Sequence, residues 1–174
     1  MEYRKTSLPG AWVIEIQRIE DSRGFFAYSI DADEARAHGI DPTIVQGKIS
    51  FNHRAGTVRG MHWQCAPATE TKLIRCTRGA IHDVIVDIRE GSPTYGKHFS
   101  VELSAENHRT LYIPALFAHG YQTLTDDAEV LYHVNQPYTP GCERGVRYDD
   151  PKLGIRWPLP VTEMSAKDKQ WPLL

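Results

Sequence analysis

The segment from Arg59 to Gln64 carries the first group of residues that could do chemistry, a histidine set among an arginine, a glycine and a glutamine. Alternation along a strand would put His62 and Gln64 on one face and Arg59 on the other. Gly60 would let a ligand or another backbone come close. An isolated histidine in a strand is more often a hydrogen-bonded structural residue than a ligand, so this segment alone leaves the role of His62 open.

Lys72 is a second candidate, because alternation puts it on the same strand face as Ile74 and Cys76. A charged amine among apolar side chains is costly unless it has a partner or a ligand. The alternative is an edge-strand lysine that prevents strand-to-strand aggregation. The position predicts a charged group that needs a partner, but it does not choose between these two roles.

A metal site is a further possibility, with His62, Glu70 and His119 as its ligands. One predicted strand ends at Pro114 and a loop follows it. His119 is expected at the far end of that loop. Position 64 is glutamine, so the usual His-x-His pair is missing, and glutamine is a poor substitute for imidazole at a first-row metal. The sequence therefore weighs against a metal, and a metal-dependent barrel protein remains an alternative.

Two more candidates look ordinary by themselves. Tyr132 faces the same way as Val130 and Val134 on a predicted strand, where a tyrosine is usually a core residue with its hydroxyl hydrogen-bonded. Asp168 lies in a polar segment near the C-terminus that reads as a solvated helix end.

The elements that would position these residues are mainly strands. Period-two alternation and β-branched runs, separated by Gly, Pro, Asn and Asp turns, point to an all-β sandwich or barrel. The predicted strands are 71–76, 81–88, 98–104, 110–113 and 130–134. Short helices are predicted at 31–38, closed by Gly39, and at 162–169. The expected fold is an all-β jelly-roll barrel with a few short peripheral helices, which commonly holds one small ligand.

Length and composition limit the functional classes. The chain has 174 residues and a formal net charge of −2, which favours one domain, residues 1–174, and argues against a general nucleic-acid binder. No apolar run is long enough for a membrane span, and the N-terminus lacks the apolar stretch of a signal peptide. Three cysteines without CxxC spacing suggest reduced thiols and a cytoplasmic protein.

The candidate residues fall within a series of motifs that runs from Asp21 to Asp168. The motifs are Asp21–Phe26, Gly56–Gln64, Lys72–Cys76, Asp83–Arg89 with Ser92–Gly96, Ile113–Gly120, Tyr132 with Tyr138–Pro140, and Asp149–Pro151 with Ile155–Pro158. In this order they resemble the dTDP-4-dehydrorhamnose 3,5-epimerase family, nucleotide-sugar epimerases with a cupin-type jelly roll. The resemblance implies epimerisation at C3, C5 or both of a nucleotide-diphospho-4-keto-6-deoxyhexose, with dTDP-4-keto-6-deoxyglucose as the first choice.

The resemblance also implies catalytic roles. His62 would be the base that removes a proton beside the C4 ketone, and Asp168 would orient its ring and stabilise its charged form. Lys72 would stabilise the enolate oxygen. Tyr132 would be the acid on the opposite face of the sugar ring. Neither a cofactor nor a metal is implied, because the ketone already acidifies the neighbouring C–H bonds.

The remaining implied residues bind the substrate. Arg23 and Arg59 would contact the diphosphate, as guanidinium groups suit phosphate oxygens. His119 would lie near the phosphates or the sugar. The positions expected to contact the substrate on the nucleotide side are Phe25, Tyr28, Gln46, Lys48 and Tyr138. The family is dimeric with N-terminal strands exchanged between subunits, so a homodimer is expected here as well.

Two positions depart from the family pattern. Tyr28 stands where the family usually has Glu, and Lys48 stands where an Asn usually follows Gln46. Both positions lie on the nucleotide side, so a CDP- or GDP-linked sugar is an alternative substrate. Inversion at a single centre and a non-catalytic sugar-nucleotide-binding domain are further alternatives.

Overall fold

The alternating segments form thirteen β-strands and two short helices in a computed structural model that describes all 174 residues. The strands are β1 (Glu2–Lys5), β2 (Trp12–Glu15), β3 (Ile19–Asp21), β4 (Gly24–Phe26), β5 (Gln46–Asn52), β6 (Val58–Gln64), β7 (Lys72–Arg78), β8 (Ala80–Asp87), β9 (His98–Ser104), β10 (Thr110–Ile113), β11 (Phe117–Thr123), β12 (Ala128–Val134) and β13 (Glu143–Gly145). The helices are α1 (Ala32–Ala37) and α2 (Ala166–Lys169). No helix has the length and apolar character needed to cross a membrane.

The strands build two antiparallel sheets and a separate hairpin. One sheet has six strands in the order β1-β2-β10-β7-β12-β5, the other has five in the order β13-β6-β11-β8-β9, and β3 pairs with β4. The main core lies between the two sheets and includes Ile74 and Val130 from the first and Ile85 and Phe117 from the second. This confirms the predicted all-β jelly-roll architecture, because each sheet buries its inward-facing apolar residues against the other.

Two smaller clusters cover the outer faces of the sheets. The helix α1 packs Ala35 against Leu73 and Tyr112 of the six-stranded sheet. Its N-cap Asp31 accepts hydrogen bonds from the backbone amides of the first turn, which satisfies donors that no helical carbonyl can reach. The predicted C-terminal helix over 162–169 is shorter than expected: only α2 is helical, and the residues before it are not.

The strands β6 and β11 approach each other unusually closely at a pair of glycines. A Cβ atom built on Gly60 would lie 2.5 Å from the Cα of Gly120, and one built on Gly120 would lie 2.6 Å from Met61 Sδ and 2.7 Å from the carbonyl oxygen of Arg59. Gly60 also has a φ of +124°, a region that side chains other than glycine rarely adopt. The expected close approach at Gly60 is confirmed, and the group that approaches is the β11 backbone.

We expect Gly120→Ala to lower the free energy of unfolding by about 1–3 kcal/mol, because the added methyl group meets backbone atoms that cannot move independently. Urea unfolding followed by circular dichroism measures the change. The matched control is Gly47→Ala in β5, whose Cβ would lie 3.5 Å from Cδ2 and 3.8 Å from Nε2 of the His133 ring, which are ordinary contacts. Equal losses in both variants would contradict the explanation by close approach.

Candidate active site

A cavity of about 920 Å³ opens between the two sheets and is lined by β5, β6, β7, β11 and β12 together with the C-terminal segment. Its size matches that of a small-molecule site. Eight of the twelve predicted site residues line it: Lys48, Arg59, His62, Lys72, His119, Tyr132, Tyr138 and Asp168. Residues more than 100 positions apart in sequence therefore meet in one cavity.

His62 and Asp168 form the shortest polar contact between predicted site residues. The ring Nε2 of His62 lies 2.6 Å from Oδ1 of Asp168, and the Gly60 amide donates to Oδ2 at 3.3 Å. Burial raises the pKa of Asp168, but the hydrogen bond and charge of His62, with the Gly60 amide and Ser165, hold this pKa below its usual range. Asp168 is therefore an ionised carboxylate that fixes the orientation of the His62 ring.

The C-terminal segment holds Asp168 in place through its own contacts. Ser165 is the N-cap of α2, and its hydroxyl accepts a hydrogen bond from the Asp168 amide at 3.0 Å. Glu163 pairs with Thr57 beside the start of β6. Trp171 packs directly over Gly145, where a Cβ would lie 2.3 Å from the indole ring. These contacts anchor the carboxylate against the strand that carries His62.

Arg59 lies on the cavity wall with His62, which corrects the prediction that the two face opposite ways. His119 pairs with His62 and Tyr121 pairs with Arg59. Between these two pairs β6 advances by three residues while β11 advances by two, so β6 contains one extra residue. This extra residue is a β-bulge, which returns the side chain beyond it to the same face. The Arg59 Nε donates to Asn52 Oδ1 at 2.7 Å.

Lys72 has the partner that its apolar surroundings require. Its ammonium group lies 3.1 Å from Glu70 Oε1, and both side chains are about nine-tenths buried, with 11% and 9% of their surface exposed. The lysine also reaches the backbone oxygen of His62 at 3.4 Å. The pair places a fixed positive charge next to the histidine.

Tyr132 lies on β12, in the sheet opposite to the one that carries His62. Its ring packs near His119 and Tyr121, with centroids 6.2 and 6.5 Å away. Burial, followed by the effects of Tyr121 and Asp83, raises the pKa of Tyr132 well above its usual range, and Arg59 lowers it slightly. The phenol is therefore protonated at neutral pH and able to donate.

His119 lies within β11, three residues into the strand, and not in the loop that the sequence suggested. Its Nε2 lies 3.0 Å from Oδ2 and 3.1 Å from Oδ1 of Asp83, and both side chains are buried. Asp83 was missed as a site residue. The available signal was a carboxylate in the middle of the β-branched run of β8, since a buried charge needs a partner.

Four of the predicted residues lie away from the cavity. Arg23 is 87% exposed in the turn between β3 and β4 and pairs with Asp21, its Nη2 2.6 Å from Oδ2. Phe25 follows in β4 and packs against His108 and Arg18 of its own chain. The remaining two, Tyr28 and Gln46, are exposed. The structure does not bring these four residues to the site within one chain.

No three His, Cys, Asp or Glu side chains converge as a metal-binding group. The two histidines proposed as ligands each have a carboxylate partner, Asp168 for His62 and Asp83 for His119. Glu70, the third, is paired with Lys72. The donor set therefore forms three separate side-chain pairs and does not surround a common point.

The chain matches the family model described as dTDP-4-dehydrorhamnose 3,5-epimerase over residues 5–174. It is 43% identical over 175 residues to the dTDP-4-dehydrorhamnose 3,5-epimerase of Sinorhizobium fredii, an alignment that covers 100% of this chain and 90% of that protein. The crystal structure of the Bacillus anthracis dTDP-4-dehydrorhamnose 3,5-epimerase with TDP and PPi bound superimposes with a TM-score of 0.95, at 39% identity and 99% coverage of both chains.

A third similar protein is the dTDP-6-deoxy-D-glucose-3,5-epimerase of Legionella pneumophila, solved in complex with dTDP-4-keto-L-rhamnose. It has a TM-score of 0.91 and 38% identity, and the match covers 99% of this chain and 92% of that one. The similarity thus extends over the whole chain in both sequence and structure. The chain belongs to the dTDP-4-dehydrorhamnose 3,5-epimerase family.

Proposed function

We propose that this protein inverts C3 and C5 of dTDP-4-keto-6-deoxyglucose in deoxysugar biosynthesis, by removing and returning protons beside the C4 ketone. The observation that carries the proposal is the arrangement of the cavity: the His62–Asp168 pair on the five-stranded sheet faces Tyr132 on the six-stranded sheet. Inversion requires a base and an acid on opposite faces of the sugar ring. Family membership and the TDP-bound and keto-sugar-bound relatives support the substrate.

His62 removes the proton from the carbon next to the ketone. The Asp168 carboxylate fixes the ring and stabilises the imidazolium that forms, as the orienting carboxylate does in other histidine-based active sites. The cost of charging a partly buried ring is thereby reduced. No cofactor or metal takes part in this mechanism, because the ketone acidifies the C–H bond and the chain supplies the base.

Lys72 stabilises the enolate that follows deprotonation. Its ammonium group is already paired with Glu70, so it is ordered before the substrate arrives. A preorganised charge aimed at the oxygen where negative charge develops is often the largest contribution to catalysis. Tyr132 then delivers a proton to the opposite face of the carbon, and its raised pKa keeps it protonated until that step.

Cationic and aromatic side chains on the cavity wall bind the rest of the substrate. Arg59 contacts the diphosphate, His119 lies by the phosphates or the sugar, and Lys48 and Tyr138 lie on the nucleotide side. Lys48 is paired across the strands with Tyr132. Lys48 and Tyr28 are the two positions on the nucleotide side that depart from the family pattern. A CDP- or GDP-linked sugar is therefore an alternative to the dTDP sugar.

We further propose a homodimer in which Arg23, Phe25 and Tyr28 reach the cavity of the partner subunit, with Gln46 at the same end. The support is that these residues lie outside their own cavity and that the hairpin exposes Ile19 and the Phe26 ring by 62% and 60%. Exposed apolar patches of this kind mark contact surfaces. The three cysteines are free thiols, which supports a cytoplasmic location.

The proposed reaction is tested in D₂O with dTDP-4-keto-6-deoxyglucose, following the C3 and C5 protons by NMR. We expect the wild-type protein to exchange both and His62→Ala to lower the rate by about 10²–10⁴-fold, the usual contribution of a general base. Nucleotide affinity, measured by calorimetry, should be unchanged. His53→Ala is the matched control, as this ring is exposed outside the cavity.

Each other outcome of that experiment selects an alternative. Loss of one signal only identifies a single-centre epimerase. Exchange with a CDP- or GDP-linked sugar alone moves the preference to that nucleotide. Nucleotide binding without any exchange on these sugars contradicts the proposed activity, and an unchanged rate in His62→Ala contradicts the assigned base.

We expect Tyr132→Phe to separate exchange from inversion. Without the phenol, the base can still remove a proton and return a deuteron to the same face, so deuterium should enter the sugar with retained configuration. NMR coupling constants of the recovered sugar distinguish the two results. Tyr112→Phe, which removes another buried phenol hydroxyl, is the control. Continued inversion in Tyr132→Phe would mean that another group is the acid.

The shared site is tested by co-expressing Arg23→Ala with His62→Ala. Arg23→Ala alone should lower kcat/KM by about 10–100-fold through loss of a charged hydrogen bond. With random pairing of the two variants, about half of the dimers are hybrids. If Arg23 acts on the partner's cavity, each hybrid has one intact site of two, because one chain supplies His62 and the other supplies Arg23. About a quarter of wild-type activity should then return. Arg59→Ala with His62→Ala is the control, since both residues line one cavity, and no activity should return there. No recovery with Arg23→Ala would contradict the arrangement.

A further inference from the structure

Asn52 is a buried polar residue next to the cavity, and the mechanism above gives it no role. It is the last residue of β5, with 3% of its surface exposed, and it does not line the cavity. Its side-chain oxygen nevertheless accepts a hydrogen bond at 2.7 Å from Nε of Arg59, which does line the cavity. A buried amide needs hydrogen-bond partners, and one partner of Asn52 is a charged group of the substrate site.

The hydrogen bonds of Asn52 hold its oxygen toward Arg59. A guanidinium group has no acceptor, so Arg59 Nε must donate, and the atom that it meets must be the amide oxygen. The Asn52 nitrogen donates to the Tyr121 hydroxyl and to the Ala128 carbonyl oxygen, each at 3.2 Å. Tyr121 belongs to β11 and Ala128 to β12, so one strand from each sheet fixes the amide. The Arg59 side chain therefore has a rigid acceptor at its Nε.

The two acceptors of Arg59 are both uncharged. Besides the Asn52 oxygen, the guanidinium group meets the backbone oxygen of Phe51, which lies 3.4 Å from Nη2. Lys72, another cation of the cavity wall, is instead paired with the carboxylate of Glu70. An uncharged acceptor orients a guanidinium group without cancelling its charge, which stays available for an anion.

The contacts also leave part of the Arg59 guanidinium group for a ligand. They use Nε and Nη2, so the hydrogens of Nη1 have no acceptor within the protein. The arginine is exposed in β6, while the amide that holds it is buried. Planar guanidinium groups suit phosphate oxygens, and a group that is already ordered loses less entropy when it binds them.

We propose that Asn52 is a positioning residue for diphosphate binding. It fixes the Arg59 guanidinium group from within the protein by an uncharged acceptor, so that Arg59 meets the diphosphate in a set orientation and with its full charge. Asn52 does not touch the substrate and acts through Arg59. A carboxylate at the same position would compete with the phosphate oxygens for the guanidinium group. The inference rests on the proposed function, in which Arg59 contacts the diphosphate.

The test measures by calorimetry the affinity for dTDP, or for CDP or GDP if the wild-type protein prefers one of them. Asn52→Ala frees the guanidinium group and should weaken binding by about 2–10-fold, the cost of ordering one long side chain. Asn52→Asp places a carboxylate against Arg59 in nearly the same geometry and should weaken binding by about 10–100-fold, the usual loss of a charged hydrogen bond. Asn107→Asp is the matched control, because it adds the same charge outside the cavity, and it should leave the affinity unchanged.

A double-mutant cycle separates positioning from a merely structural role. In the Arg59→Ala background, Asn52→Ala should change the affinity by less than about twofold, because the residue through which Asn52 acts is gone. In turnover of dTDP-4-keto-6-deoxyglucose, Asn52→Asp should raise KM and leave kcat unchanged, the pattern of lost binding that is equal in ground and transition state. The cycle uses only alanine variants, so it decides the question even if Asn52→Asp does not fold.

Several outcomes would overturn the role of Asn52. These are an equal loss from Asn52→Ala with and without Arg59, a loss in Asn52→Asp no greater than in Asn52→Ala, or a similar loss in Asn107→Asp. If the wild-type protein shows the expected order of affinities but inverts no 4-keto sugar, the proposed function fails and the role of Asn52 stands. If it inverts the sugar and the Asn52 variants bind as tightly as the wild type, only the role of Asn52 fails. If it binds none of these nucleoside diphosphates, both fail.

Discussion

The hydrogen bond between His62 and Asp168 joins two parts of the chain that are 106 residues apart, and the geometry of the active site depends on it. One partner is supplied by a strand in the middle of the five-stranded sheet. The other is supplied by a terminal segment with only one turn of helix, which by itself would not hold a side chain in place. The contacts of Ser165, Glu163 and Trp171 give that segment its fixed position on β6 and β13.

The same constraint explains the bulge and the two glycines beside it. The Gly60 amide donates to Asp168, so the backbone at Gly60 must lie close to this carboxylate. The β11 backbone at Gly120 packs against the same residue. A side chain on Gly60 or Gly120 would separate the strands. The bulge that accommodates this contact also turns Arg59 toward the cavity. One local distortion therefore serves both the orientation of His62 and the placement of the Arg59 guanidinium group on the cavity wall.

Much of the fold, and eight of the residues that line the cavity, could be predicted from the sequence. Period-two alternation and β-branched runs identified β9, β10 and most of β8 and β12, because apolar side chains of these strands are buried in the core. The same rule failed for Arg59, since a bulge changes the face without any clear mark in the local sequence. Asp83 was missed because its partner, His119, lies on another strand. The hairpin with Arg23 lies away from the cavity of its own chain, a separation that depends on the folded arrangement and that no local pattern marks.

Three carboxylate pairs give the cavity its chemical character. Asp168 pairs with His62, Asp83 with His119 and Glu70 with Lys72, and all of these residues except Asp83 line the cavity. Each of these histidine and lysine side chains is thus oriented by a carboxylate, while the Tyr132 ring packs near His119 and Tyr121. Groups fixed in this way need little reorganisation when the enolate forms, and that is the condition under which electrostatic stabilisation contributes most. His62 lies on the five-stranded sheet and Tyr132 on the six-stranded sheet, and this placement across the cavity is the physical reason that proton removal and proton delivery can occur on opposite faces of one sugar ring.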